Sequence, residues 1–182
     1  MSHLVAKVVA GTCHNPWEVL SWQAQDGRWL LRVFVPGAST VSVVDDQGEQ
    51  YALGQGASDS IFERLFDRQF AYRVSAQFPD GRTEVFRDPY AFRQPFCSDI
   101  DLHLFNEGRH LEADRRLGCH RRTIGDVEGW NFAVWAPNAV RVSVVGDFNA
   151  WDGRRHQMEC LGPSGIWEIF IPDIPVGSRY KY

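Results

Sequence analysis

The chain has 182 residues, 44% apolar and 23% charged, enough for one large folded domain or two small ones and unlike a disordered segment. A formal charge of −4, from 19 basic and 23 acidic residues with no basic run, argues against an electrostatic nucleic-acid binder. No apolar stretch approaches the roughly 18 residues that span a membrane, so no membrane partner is expected.

From the N-terminus, Leu4, Val5, Val8 and Val9 predict a small amphipathic helix ended by Gly11. Trp17, directly after Pro16, is expected to be a docking contact for this N-terminal segment. The run Trp29–Pro36 (W-L-L-R-V-F-V-P) alternates on a period of two, with Leu31, Val33 and Val35 on one face, and Val41 with Val43 supplies a second strand. Turn signals follow at Pro36-Gly37, Asp46-Gln47-Gly48 and Pro79-Asp80-Gly81. Ser98 to Gly108 reads as a short helix capped by Ser98 or Asp99, and a second turn spans Leu111 to Leu117, closed by Gly118. Trp130–Pro137 (W-N-F-A-V-W-A-P) then restates the first pattern, with Phe132, Val134 and Ala136 on one face and Val142 with Val144 as the following strand. Further turns fall at Trp151-Asp152-Gly153 and Gly162-Pro163, and alternation in Ile166–Ile171 groups Trp167 with Ile169 and Ile171, opposite Glu168, which places Trp167 in a core. Trp29 and Trp130, at equivalent places, are expected to pack within their units.

The restatement is a true internal repeat. Trp29, Val33 and Pro36 recur at an offset of 101, as does Val41-Ser42-Val43-Val44 in Val142-Ser143-Val144-Val145. Ile61-Phe62-Glu63 returns as Ile166-Trp167-Glu168 at an offset of 105, and Phe70-Ala71-Tyr72-Arg73 as Ser178-Arg179-Tyr180-Lys181 at 108. A growing offset means insertions in loops between strands that keep their order. The expected fold is all-β: two tandem immunoglobulin-like β-sandwiches joined by a short helical linker, the second truncated. The expected divisions are an N-terminal helical segment (1–20), a first sandwich (21–95), a helical linker (96–120) and an incomplete second sandwich (121–182). The first copy runs on for 20 residues after Tyr72 to Phe92 whereas the second stops two residues after Tyr180, so a piece of a longer protein is expected.

Catalytic chemistry finds little support. Asp45, Asp46, Asp88, Asp99, Asp101, Asp126, Asp147 and Asp152 lie mostly in turns or at helix starts, where carboxylates serve as turn and cap residues, not as a glycosidase pair. Cys13-His14 and Cys119-His120 are neighbours, which on a strand point to opposite faces and form no dyad. His103 and His110 lack a recognisable metal-ligand spacing, and the histidines are expected at the surface or in the linker. The four cysteines are widely spaced, with no Cys-x-x-Cys, and the N-terminus lacks signal-peptide features, so reduced thiols in a cytoplasmic protein are expected. Aromatic residues reach 13%, with seven tryptophans, and are a better lead, because sugar C–H faces stack on indole rings. Trp151 follows a strand within a turn; it is either a glucan-stacking platform or a ring packed on its own turn or on a neighbouring domain.

The stretches Trp130–Ala139, Val142–Asn149 and Trp151–His156 resemble bacterial glycogen branching enzymes. Gly165–Pro172, Tyr180–Tyr182, Asp88-Pro89-Tyr90, Leu104–Gly108, Leu117–His120 and Gly11–Leu20 fit the same family. The resemblance implies an N-terminal β-sandwich followed by most of a starch- and glycogen-binding-type module, with the catalytic (β/α)₈ barrel of the same polypeptide absent, so no catalytic residue is inherited here. It implies α-glucan as partner, an influence on the length of chain transferred, and no metal or organic cofactor. Trp151 and Lys181 correspond to glucan-holding positions of related modules. A stand-alone carbohydrate-binding protein and a purely structural tandem sandwich remain the alternatives.

Overall fold

The computed structural model describes residues 3–182, so Met1 and Ser2 of the expected N-terminal segment lie outside the described residues. The fold is all-β in class, with two short α-helices among the described residues. Its contacts divide the chain into two units, Met1–Ala10 with Trp17–Ala91 and Gly11–Pro16 with Phe92–Tyr182. No helix among the described residues is long and apolar enough to cross a membrane.

In the first unit α1 (His3–Ala10) buries Val5 and Val8 and stops where Gly11 takes a φ of +72°, a left-handed turn that other residues adopt only at a cost. Trp17 packs edge-on against Tyr90 with centroids 5.2 Å apart. Seven strands follow: β1 (Ser21–Gln25), β2 (Arg28–Phe34), β3 (Thr40–Asp45), β4 (Gln50–Gln55), β5 (Ile61–Phe66), β6 (Tyr72–Gln77) and β7 (Thr83–Phe86). They form one antiparallel sheet in the order β1-β2-β5-β4-β3-β6-β7. β4 is the corner, pairing with β3 through Val41↔Leu53 and with β5 through Gly54↔Glu63. The sheet therefore curls on itself, and Leu31 and Val33 share one core with Val41, Val43, Val74 and Ala76. Burying each such aliphatic side chain contributes roughly 1.5–3 kcal/mol, which is what holds the curl closed. Beside this core the Tyr72 hydroxyl donates to Asp88 Oδ2 at 2.8 Å, and the Tyr90 N–H donates to Oδ1 at 3.0 Å. Burial pushes the Asp88 carboxyl up to about 6, against those two hydrogen bonds.

The second unit comprises α2 (Asp99–Asn106), β8 (Gly118–Ile124), β9 (Val127–Trp135), β10 (Val145–Gly146), β11 (Glu159–Cys160), β12 (Ile166–Pro172) and β13 (Tyr180–Lys181). A four-stranded sheet, β11-β12-β9-β8, lies with a two-stranded ribbon, β10-β13. Phe132 and Trp167 face inward, where Phe132 meets Tyr180 at 4.9 Å and the Trp167 indole N–H donates to Ala136 O at 3.1 Å. Trp167 is 1% exposed, the core ring that alternation expects.

The opposite face of β12 is not left to solvent. Residues 92–117, which overlap the expected linker 96–120, cover it: Phe92 meets Phe170, Cys97 and Leu102 pack with Ile166, and Phe105 lies against Trp135. Glu168, which alternation sets opposite the core, is consequently buried and accepts the backbone N–H groups of Phe96 (2.6 Å) and Cys97 (3.0 Å). Arg122 secures the same segment by donating to Gln94 O at 2.6 Å, and Arg93 pairs with Glu159 at 2.7 Å. α2 itself begins with a capping box, in which Ser98 Oγ accepts the Asp101 N–H and the Asp101 carboxylate accepts the Ser98 N–H at 2.8 Å.

Strand register follows the repeat offsets. Val33↔Phe62 in the first unit becomes Val134↔Trp167 in the second, Val44↔Arg73 becomes Val145↔Lys181, and Gly54↔Glu63 becomes Glu159↔Glu168. The expected strand at Val142–Val144 departs from this. Only Val145–Gly146 is regular there, and upstream the ladder survives as a bridge between Ser143 and Gln157 with a Val144 N–H bond to His156 O at 3.0 Å.

Candidate functional site

The Trp151 loop is built from Gly146 outward. Gly146 pairs with Tyr180, and a Cβ there would stand 2.4 Å from Arg179 O and 2.6 Å from the Phe148 ring, so only glycine allows this approach. Asn149, 1% exposed, organises the turn. Its Oδ1 accepts the Gly146 N–H at 2.9 Å, while Nδ2 donates to Val144 O at 2.8 Å and lies 2.7 Å from His156 Nδ1. Enclosure of the imidazole, then the Arg155 charge, pushes the His156 pKa down to about 3, so the ring is neutral and Nδ1 is free to accept. His156 is thus a structural partner of the loop and not the surface histidine expected from sequence.

Ala150 and Trp151 both take left-handed backbone angles, φ +54° and +61°. Such residues are costly, on the order of 1 kcal/mol or more each, and persist where surrounding bonds hold them. Here the Trp151 N–H donates to Gly146 O and the Asp152 N–H to Asn149 O, each at 3.1 Å. The indole emerges 44% exposed. Lys181 lies on β13 directly opposite Val145 and is exposed. Because its neighbour Tyr180 packs inward on Phe132, Lys181 projects from the other side of the strand. The structure therefore brings the two sequence-predicted site residues to one short ribbon, Trp151 bonded to the Gly146 end and Lys181 paired with Val145.

Asp147 joins the two sides. Its Oδ1 accepts from the Trp151 indole N–H and from Arg179 Nη2, both at 3.3 Å, and its Oδ2 accepts the Arg179 backbone N–H at 3.1 Å and Nε at 3.2 Å. The hydrogen bonds from Arg179 hold the Asp147 carboxyl below the usual carboxylate range. Asp152 is likewise lowered by Arg154, which donates to it through Nε and Nη2. Neither group holds a proton near neutral pH, so this pair offers no general acid for glycosidic cleavage. What the arrangement offers is an exposed indole face, an ammonium donor and a fixed backbone, the parts of a sugar-stacking surface. Beside it, a cleft of about 390 Å³ is lined by Val134, Val142, Val145, Gly153 and Tyr182 among others.

The other candidate residues disperse. Cys13 Sγ donates to Asn15 O at 3.2 Å while His14 stacks edge-on against Trp167, and burial pushes the Cys119 thiol up while His120 Nε2 lies 2.9 Å from Leu117 O. His110 contacts Asp101 at 2.9 Å and His103 contacts Glu107 at 3.4 Å, so the two histidines serve different carboxylates. Asn149 was missed by sequence reasoning, although an Asn two residues before a turn tryptophan is the available signal. Trp135, which lies against Phe105, is 52% exposed.

Comparison with known proteins gives two family matches along the chain. Residues 1–90 match the N-terminal domain of the alpha-1,4-glucan branching enzyme GlgB, and residues 116–182 match carbohydrate-binding module 48, the isoamylase N-terminal domain. The chain is 43% identical to the 1,4-alpha-glucan branching enzyme GlgB of Nostoc sp. over 98% of its length, which is 24% of that relative. It is 44% identical to 1,4-alpha-glucan branching enzyme GlgB 2 of Xanthomonas oryzae pv. oryzae, again over 98% of the chain and 24% of the relative. The chain thus spans about a quarter of the length of these curated relatives. Among solved structures, pullulanase type I from Bacillus subtilis str. 168 complexed with maltose aligns over 88% of this chain and 22% of that one, with 15% identity and a TM-score of 0.29.

Proposed function

We propose that this chain, which belongs over residues 1–90 to the N-terminal-domain family of the branching enzyme GlgB and over residues 116–182 to carbohydrate-binding module 48, is the non-catalytic front part of a 1,4-alpha-glucan branching enzyme. Its second unit docks α-glucan. The parent reaction transfers an α-1,4-glucan chain to a 6-hydroxyl, with the reacting carboxylates supplied by a (β/α)₈ domain of the same polypeptide. In this reading the chain alone is inactive, holds glucan for that domain and influences the length of chain transferred. The protein is cytoplasmic, where its four cysteines stay reduced as thiols.

The observation that carries the reading is the exposed Trp151 indole in the loop that leaves the ribbon carrying Lys181, the Trp151 backbone N–H bonded to Gly146 O. The test is affinity electrophoresis of the 182-residue chain in glycogen, beside Trp151→Ala, Lys181→Ala and Arg73→Ala, with circular dichroism to confirm folding. Arg73 holds the register position of Lys181 in the first unit and is the control. Loss of a stacked ring removes about 1–3 kcal/mol, so Trp151→Ala should weaken retention about tenfold or more. Lys181→Ala should weaken it less, and Arg73→Ala not at all. A folded wild-type chain that glycogen does not retard sinks the platform and leaves the segment a structural partner of the catalytic domain.

A further inference from the structure

Asp147 carries more hydrogen bonds than a turn residue needs. It is partly exposed, 37% at the side chain, yet both carboxylate oxygens are occupied by groups from two places in the chain, Trp151 on one side and Arg179 on the other. Its own N–H donates to Arg179 O at 3.1 Å, closing the connection through the backbone as well. An exposed ion pair of this kind adds little to stability, because water competes for both partners. Its consequence is geometric. The indole N–H is tied at its edge, which restrains rotation of the ring while leaving the face free. The other end of the same carboxylate holds Arg179, which directly precedes β13 and stands two residues before Lys181.

We propose that Asp147 is a positioning residue for glucan binding: its carboxylate fixes the Trp151 indole to the strand that carries Lys181, so that the two contacts meet an α-glucan as one preformed surface. The proposal rests on the glucan reading above. A ring already held in place loses less freedom when a sugar stacks on it, and that saving is gained as affinity. Arg179 is the latch on the strand side, and the short extended segment between it and Lys181 leaves little slack.

The test uses the 182-residue chain with maltoheptaose as probe. Asp147→Asn keeps size and one acceptor but removes the charge and one carboxylate oxygen. Calorimetric titration should show binding weakened about fivefold, the cost of one side chain that must now be ordered on binding. The Trp151 indole N–H signal in a nitrogen-15 spectrum, assigned by its absence in Trp151→Ala, should shift and exchange faster with water. Arg179→Gln keeps the Asp147–Trp151 bond and should weaken binding by a smaller factor; it also serves if Asp147→Asn does not fold. In a Trp151→Ala background, Asp147→Asn should add nothing. If Asp147→Asn binds as wild type with an unmoved indole signal, the proposal is wrong. It is equally wrong if the fivefold loss persists without Trp151, since Asp147 would then touch the sugar itself. Unchanged binding in Trp151→Ala overturns the glucan reading first, and this proposal with it.

Discussion

In the first unit Glu63 stands opposite Arg32 across β2 and β5, and the two side chains pair at 2.6 Å, each partly exposed. In the second unit the same register position holds Glu168 opposite Ala133, and the carboxylate turns to the backbone N–H groups of Phe96 and Cys97. The ladder is conserved between the two, while what covers it is not. One face of the second sheet is closed by residues 92–117, so a glutamate that a solvated sheet would display becomes a buried anchor for that cover. A second contrast lies between the third and fourth strands of each repeat. The first unit crosses with residues 46–49, held by Asp45 Oδ1, which accepts the N–H groups of Gln47 and Glu49. The second crosses with residues 147–156, and this longer crossing carries Asp147, Asn149, Trp151 and His156. The Trp151 half of the candidate site therefore lies where the second repeat is longer than the first, which is where a scaffold accepts new function at least cost to its core.

This contrast is sharpest at the paired glutamates. Glu168→Ala would leave two N–H donors of the covering segment unsatisfied, at about 1–3 kcal/mol each, so the second unit should lose about 4 kcal/mol. Glu63→Ala removes a part-exposed pair and should cost the first unit less than about 1 kcal/mol. Urea unfolding followed separately in each unit measures both, and equal losses would mean that the cover contributes nothing. The next effect belongs to the first unit. Asp88 has a folded pKa raised to about 6, above its unfolded value, so the folded state keeps the proton longer. Stability from this group is full below about pH 4 and falls by about 3 kcal/mol as pH rises through 6. Asp88→Asn should flatten that slope, and unfolding at pH 4 and pH 7 checks it; an unchanged slope removes Asp88 as its source. The smallest effect compares Gly146 with its counterpart Asp45. Gly146→Ala forces a methyl against Arg179 O and Phe148 and should destabilise the second unit by about 2 kcal/mol, with weakened glucan retention. Asp45→Ala loses exposed turn bonds and should cost about 1 kcal/mol, with retention intact.

Much of the scaffold was legible beforehand. A strand alternates on a period of two, so Leu31, Val33 and Val35, and later Trp167, declare their inward face without any knowledge of the partner. The repeat offsets anticipate register as well, because two copies that share strand order share pairings: Arg73 predicts where Lys181 sits. Helix ends at Gly11 and Ser98 were legible because caps are local chemistry. Trp151 and Lys181 were marked by resemblance, and the offsets anticipate the pairing of Lys181 with Val145 but not the place of Trp151.

The burial of Glu168, the enclosure of His156 and the joining of Trp151 to Arg179 through Asp147 were not legible. Each depends on contact between segments far apart in the chain, and a residue's own neighbours carry no signal of it. Glu168 looks like an outward residue until Phe96 and Cys97 lie over it; Asp147 looks like one more turn aspartate until β13 brings Arg179 within 3.3 Å. The sequence by itself determined the all-β class, the repeat, the faces of its strands and their register, since these rest on period, caps and offset. Only the tertiary structure decided which polar groups became anchors and which aromatic ring was held open to solvent, because long-range closure sets desolvation and hydrogen-bond partners together.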